Sequence, residues 1–154
     1  MSMPKFTGLS LDPNAVFQLV SKYDNIVGVK DSSGSISQIT EIIRLVGKKV
    51  SVLAGTGDVI LPTLMLGGKG AIVSVANFAP KMCVDLYKAF KGGNYEEAGG
   101  LQLQISYLNE VLVKKYNQLS AIKAALTMLG LPSGYPRRLA LPLGEEEKTT
   151  LRTH

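Results

Sequence analysis

Three short apolar runs, spaced between helical segments, constrain this chain more than any other feature. Ile26–Lys30 (Ile-Val-Gly-Val-Lys), Val50–Ala54 and Ala71–Val75 are each five residues long. They lack the polar alternation of a half-exposed strand, which is the pattern of strands covered on both faces. Asp12-Pro13 reads as the cap and first residue of a helix on which Val16, Leu19, Val20 and Tyr23 recur at helical spacing. A second helix carries Ile36, Ile39, Ile42, Ile43 and Val46 on one face and stops at Gly47. Asp58 is placed to cap a third that runs through Leu66 to Gly67-Gly68, and Pro80 opens a fourth that stops at Gly92-Gly93. Apolar strands alternating with helices through short loops predict right-handed βαβ units around a parallel sheet, the α/β class.

After Gly93 the strand pattern ends. Glu96–Lys114 reads as a long helix with a weak point at Gly99-Gly100, and Ser120–Leu129 as another, closed by Gly130. The tail holds Pro132, Pro136 and Pro142, then a charge run, Glu145–Lys148, that reads as a solvated helical face. The predicted division is a sheet-forming region over 1–93 and a helical region over 94–154, with no internal repeat. Three or four parallel strands leave two sheet edges unpaired, and such edges need covering. A closed (β/α)8 barrel takes roughly 250 residues, whereas this chain has 154. The expectation is a partial (half) TIM barrel with three to four parallel strands, either a fragment or a unit that completes its sheet with another copy.

Composition excludes whole classes of function. At 45% hydrophobic and 19% charged residues the chain can bury a core and is not a disordered segment. The net charge of +5 is scattered without a basic run, and aromatics are 6%, so no nucleic-acid partner is expected. No stretch is long enough to span a bilayer, and Met1–Lys5 lacks an apolar leader core, so no membrane partner is expected either. The single cysteine, Cys83, permits no internal disulfide and suits a reducing, cytoplasmic setting; between Met82 and Val84 it reads as a small buried hydrophobe. The only histidine is His154, the last residue, which argues against a His-assisted nucleophile in cis and against a zinc site. Chemistry here must run on Lys, Tyr, Ser, Thr, carboxylates and backbone groups. Gly67-Gly68-Lys69-Gly70 lacks the spacing of a phosphate-binding P-loop and reads as a tight helix-to-strand turn.

Lys30 ends the first apolar run and leads into the polar turn Asp31-Ser32-Ser33-Gly34. In parallel α/β proteins the carboxyl ends of strands carry the active site. A lysine partly withdrawn from water there favours its neutral amine, which attacks carbonyls. On its own, a lysine just past a strand reads as a solvated loop residue. Its neighbours change that reading.

Asn25-Ile26-Val27-Gly28-Val29-Lys30-Asp31-Ser32-Ser33-Gly34 closely resembles the imine-lysine segment of the dihydrodipicolinate synthase and N-acetylneuraminate lyase family. The resemblance extends upstream through Pro4, Thr7-Gly8 and Leu11-Asp12-Pro13. Downstream it runs through Leu53–Asp58, Leu66–Asn77 and Ala79-Pro80, spanning roughly residues 4–143. It implies that Lys30 attacks the ketone of pyruvate or another 2-oxo acid to form a Schiff base. The protonated imine then acts as an electron sink for making or breaking the next carbon–carbon bond. It further implies that backbone at Gly55 and Ile72 lines the pyruvate pocket, that Ser32, Gly57, Asp58 and Ser74 contact the rest of the substrate, and that no cofactor or metal is used. Asp58 reads equally well as a helix cap.

The departures from the family pattern matter as much. The proton-relaying tyrosine of the Tyr-Asn-x-Pro motif aligns with Met1 of Met1-Ser2-Met3-Pro4. Tyr23, Tyr87, Tyr95, Tyr107, Tyr116 and Tyr135 fall on predicted helices or the tail. The paired threonines and the glycine-rich carboxylate-binding segment belong to the family's amino-terminal half, which this sequence does not contain. Phe6 stands where dihydrodipicolinate synthases usually carry an arginine, which favours a keto-deoxy sugar-acid aldolase branch; Gly134-Tyr135-Pro136-Arg137-Arg138 points the same way. Two functions follow as expectations. One is a lyase portion that forms the Schiff base yet turns over feebly or not at all. The other is a non-catalytic half-barrel that self-associates as a homo-oligomer.

Overall fold

The computed structural model describes residues 1–152; His154 lies outside the described residues. Three parallel strands, β1 (Gly28–Asp31), β2 (Ser51–Ala54) and β3 (Gly70–Ala71), form one sheet in chain order. Lys30 sits beside Leu53, which sits beside Gly70. The helices before and between the strands are a single turn α1 (Pro4–Thr7), α2 (Pro13–Lys22), α3 (Ile36–Val46) and α4 (Ile60–Met65). After the sheet come α5 (Pro80–Lys91), α6 (Tyr95–Asn109), a π-helical turn at Glu110–Lys114, α7 (Gln118–Met128) and α8 (Glu145–Arg152).

Local chemistry sets these boundaries. The Asp12 carboxylate accepts from the amides of Asn14 (2.8 Å) and Ala15 (3.2 Å), so α2 starts where the Asp-Pro pair places it. Ser35 caps α3 through the Gln38 amide at 3.2 Å. On α3, Ile39, Ile42 and Val46 are buried, whereas Ile36 in the first turn stays 39% exposed, a departure from the one-face expectation.

The two faces of the sheet meet different surroundings. Val29 and Val52 point to the helical side, where they join Val16, Val20, Ile42, Val46 and Val50 in one apolar cluster. Ala54 packs with Ile39 and Val59. A second cluster runs from Ile60, Leu61 and Leu64 through Val73 and Val75 to Leu86, Ala89, Ala98 and Ile105, tying α4, α5 and α6 together. Gln102 clamps this layer to the segment after β2: its Nε2 donates to Gly57 O at 2.7 Å and its Oε1 accepts from the Leu61 amide at 2.7 Å.

Three sequence expectations need correction. The third apolar run is not a five-residue strand: pairing ends at Ala71, and Ser74–Asn77 turns into a 3-10 helix. Among the described residues no strand lies beyond β3, so no ladder extends it. Gly99-Gly100 does not weaken α6, which passes through both residues; the irregularity comes later, at the π turn closed by Lys115 N–H to Glu110 O (2.9 Å). Asp58 does not cap a helix, since a 3-10 turn at Gly57–Val59 precedes α4 and its carboxylate is used elsewhere. The fourth strand is present only as a stub: Ser2 bridges the outer edge of β1 in parallel, its N–H donating to Lys30 O (2.9 Å) and its carbonyl accepting from Ser32 N–H (2.9 Å).

Candidate active site

The turn after β1 is set by a buried carboxylate. Asp31 is fully buried, and its Oδ1 accepts from the Ser33 amide at 2.8 Å and from the Ser33 hydroxyl. Its Oδ2 accepts from Gln38 Nε2 at 2.6 Å. Side chains alternate along a strand, so Asp31 on the helical side puts Lys30 on the other. The Lys30 amine has no hydrogen bond or ion pair among the described residues. The carboxylate that follows it is committed to the turn and fixes the backbone from which Lys30 projects.

Lys30, Ser32, Gly55 and Ser74 line one cavity of about 70 Å³. Gly55 is required by the close approach of β2 to the β1 turn: a Cβ there would lie 2.1 Å from Ser32 Oγ and 2.4 Å from Asp31 O. Ser74 accepts a hydrogen bond from Gln118 Nε2 of α7. The other three residues singled out in the sequence do not line this cavity. Ile72 gives its N–H to Ala54 O at 2.9 Å and leaves its side chain 57% exposed. Gly57 commits its carbonyl to Gln102. Asp58 Oδ2 accepts from Asn109 Nδ2 at 3.0 Å and pairs with Lys114 Nζ at 2.9 Å, joining the segment after β2 to the π turn. The hydrogen bond that Lys114 donates to Asp58 raises the Lys114 pKa above its ordinary value.

The cavity also has walls that the strand motifs did not reveal. Met3, Lys5 and Phe6 come from the N-terminal segment, Thr56 from the end of β2, and Asn109, Val113 and Gln118 from the helical region. Lys5 Nζ donates to Val113 O at 2.6 Å, taking a carbonyl in the final turn of a helix, where the helix itself offers no partner. Asn109, Val113 and Gln118 arrive from far along the chain, so short-range spacing carries no trace of them, whereas Met3, Lys5, Phe6 and Thr56 lie within segments the family resemblance already covers. None of the six tyrosines lines the cavity.

A larger cavity of about 440 Å³ lies between α7, α8 and the connecting tail, with Lys123, Tyr135, Lys148 and Arg152 in its wall. It shares no lining residue with the Lys30 cavity and contains no strand end. Among the described residues no group of three or more His, Cys, Asp and Glu could hold a metal ion, and no helix is long and apolar enough to cross a membrane. Burial pushes the Cys83 thiol up, which keeps it un-ionised in the core around α5.

Comparison with known proteins places this geometry. The profile of the Dihydrodipicolinate synthetase family matches residues 1–154. A 4-hydroxy-tetrahydrodipicolinate synthase of Archaeoglobus fulgidus is 41% identical over 150 residues, covering 96% of this chain and 50% of that protein. One from Methanothrix thermoacetophila is 39% identical, covering 98% and 51%. A prophage protein of the dihydrodipicolinic acid synthase family from E. coli K12, solved in complex with pyruvate, superposes with a TM-score of 0.91 at 32% identity, over 99% of this chain and 52% of that one. The dihydrodipicolinate synthase of Thermotoga maritima gives 0.88 at 27%, over 99% and 52%. The chain therefore spans about half the length of the relatives it matches, and its sheet is half of a TIM barrel. By profile, sequence and fold, this chain belongs to the dihydrodipicolinate synthetase family.

Proposed function

We propose that this chain is the lysine-bearing portion of a pyruvate-type aldolase, in which Lys30 forms a Schiff base with a 2-oxo acid. The observation that carries the reading is the free Lys30 amine sharing a cavity with Ser32, Gly55 and Ser74 at the carboxyl ends of parallel strands. The lone pair of the amine attacks the C2 carbonyl, the carbon–nitrogen bond forms, and the carbonyl oxygen leaves as water. The protonated imine then withdraws electrons from the C3 bond. For retro-aldol cleavage the C4 hydroxyl must lose its proton as it becomes a carbonyl and the C3–C4 bond breaks, and Met1 stands at the motif position of the tyrosine that relays that proton. This chain alone is therefore proposed to form the imine and to turn over weakly or not at all. Pyruvate, or a keto-deoxy sugar acid as the Phe6 position favours, is the proposed substrate.

The test is incubation with pyruvate and borohydride followed by intact mass. Hydride reduces the imine to a stable secondary amine, and one adduct per chain is expected. An unmodified chain would overturn the reading, and rapid retro-aldol turnover would overturn its second half.

A specific observation also favours a self-associating, non-catalytic half-barrel. The sheet face bearing Lys30 is only partly covered, with Ile72 57% exposed, and β3 has no outer partner among the described residues. Such an edge pairs readily with another chain. Sedimentation at micromolar concentration tests it: a concentration-dependent dimer supports homo-oligomerisation, and a clean monomer removes it.

A further inference from the structure

The tail between α7 and α8, residues 131–144, forms no helix or strand, yet α7 pins it at two places. Near its start the Lys123 ammonium donates to Ser133 O, the Ser133 hydroxyl donates to Lys123 O at 2.7 Å, and Thr127 Oγ1 lies 2.9 Å from Ser133 Oγ. Near its end the Ser120 hydroxyl donates to Leu141 O. Leu143 and Leu151 are buried beside Val111, Leu112 and Ala121, which docks α8. A cavity of about 440 Å³ remains between α7, α8 and the pinned tail. It is about six times the volume of the Lys30 cavity and lies within the range of about 300–1,000 Å³ usual for small-molecule sites. Ala124, Met128, Leu131 and Leu143 give it apolar wall, and three cations, Lys123, Lys148 and Arg152, line it against one acid, Glu145. Glu145 Oε1 accepts from Lys148 at 2.7 Å, so that acid already has its partner. Arg152 acts on Glu145 through its charge but makes no hydrogen bond among the described residues. Lys123 keeps two ammonium protons beyond the one given to Ser133. Positive charge without a counterpart thus stands beside apolar wall in one cavity.

We propose that this cavity is a second small-molecule site, one that takes an organic acid with an apolar, ring-bearing body. It is independent of the imine reading, since no group in it belongs to the Lys30 cavity. Arg152 takes the acid group: its planar guanidinium matches both oxygens of a carboxylate. Lys123 adds positive field from α7. Met128, Leu131 and Leu143 take the body, and Tyr135, 83% exposed on the tail, offers a ring with no aromatic partner. At ~30 Å³ for each group of water size, the cavity has room for a ligand of roughly a dozen non-hydrogen atoms. Arg152 is exposed, so water shares the site and screens the charged contact. The acid group therefore sets a preference of a few-fold, and the apolar body supplies the rest of the affinity.

The experiment titrates the full chain with 4-phenylbutyrate and with 4-phenyl-1-butanol, which share a carbon skeleton and differ in the acid group. Amide shifts of Thr127, Ser133, Tyr135 and Lys148 report on this cavity, and those of Ser32 and Gly55 report on the Lys30 cavity. The acid is expected to shift the first set saturably, with half-saturation at about a millimolar, the reach of a ligand of this size, and to leave the second set in place. The alcohol should bind about fivefold more weakly, the upper size of an exposed charged contact. Arg152→Gln should bring the two ligands to about equal affinity, Arg152→Lys should keep most of the difference, and Lys88→Gln, outside this cavity, should leave it unchanged. Shifts that never saturate, shifts that also spread over Ser32 and Gly55, equal affinity for acid and alcohol, or a preference that survives Arg152→Gln would each overturn the proposal. No imine is involved, so none of these results bears on Lys30.

Discussion

The two faces of this small sheet are finished to different degrees. On the helical face, Val29, Asp31, Val52 and Ala54 are all buried, the apolar ones under α2 and α3 and the acid within its own hydrogen-bonded turn. On the other face, Lys30 and Leu53 are half-buried, Gly28 is exposed and Ile72 is 57% exposed. Residues one step apart on the same strand thus live in a completed core and on an open surface. In the half-length chain, the helical face supplies stability from its own residues. The Lys30 face carries the proposed chemistry, and its surroundings are only partly provided here. Mutations on the two faces should therefore separate the two properties.

The largest expected effect is on the open face. Lys30→Met should remove the pyruvate adduct completely while shifting the melting midpoint by no more than a few degrees, since partly exposed sites away from special contacts cost within about 0.5 kcal/mol. Mass spectrometry and a thermal melt on the same sample check both halves. On the helical face the sign reverses: Ile42→Ala, at a fully buried position, should cost about 2–5 kcal/mol in urea unfolding. Asp31→Ala should cost about 2–4 kcal/mol, because three donors lose a buried acceptor at once. It should also slow trapping at Lys30 by loosening the turn. Ile72→Ser sharpens the contrast from the other side: a change within about 0.5 kcal/mol is expected, against several for an isoleucine on the helical face.

The smallest effect is electrostatic. Lys114 has its pKa raised by the Asp58 hydrogen bond, so the pair stabilises the fold fully below the unfolded lysine value and loses that contribution as pH rises through the raised folded value. With an ordinary value of 10.5, melting should be insensitive to this pair up to about pH 10 and should fall above it. Lys114→Met should flatten that fall.

The helical face was also the legible part of the molecule. Its apolar periodicity, the Asp12 and Ser35 caps and the Lys30 strand follow from local spacing, and local spacing is what a single sequence displays. The half-barrel architecture followed from the count of strands against the length a closed barrel needs. The open face was legible only through resemblance, and incompletely. Strand length at β3 depends on a neighbour, so Ala71–Val75 looked longer than the pairing allows. Asp58 looked like a cap because its partners, Asn109 and Lys114, lie some fifty residues away. Asn109, Val113 and Gln118 reach the cavity by tertiary packing, and their spacing from Lys30 follows no period. In the sequence Asp31 looks like part of a polar turn, whereas in the fold it is fully buried and accepts a hydrogen bond from Gln38 of α3.

The central claim is that folding, and not mere presence of an amine, makes Lys30 the imine-forming lysine of this chain. It is tested most directly by trapping pyruvate with borohydride on the folded chain and on the chain in urea, then mapping the adduct by peptide. The account predicts that the folded chain carries the adduct on Lys30 and that urea spreads a weaker labelling over the other lysines. Equal labelling of Lys30 and surface lysines such as Lys48 and Lys88 in the folded chain would contradict it.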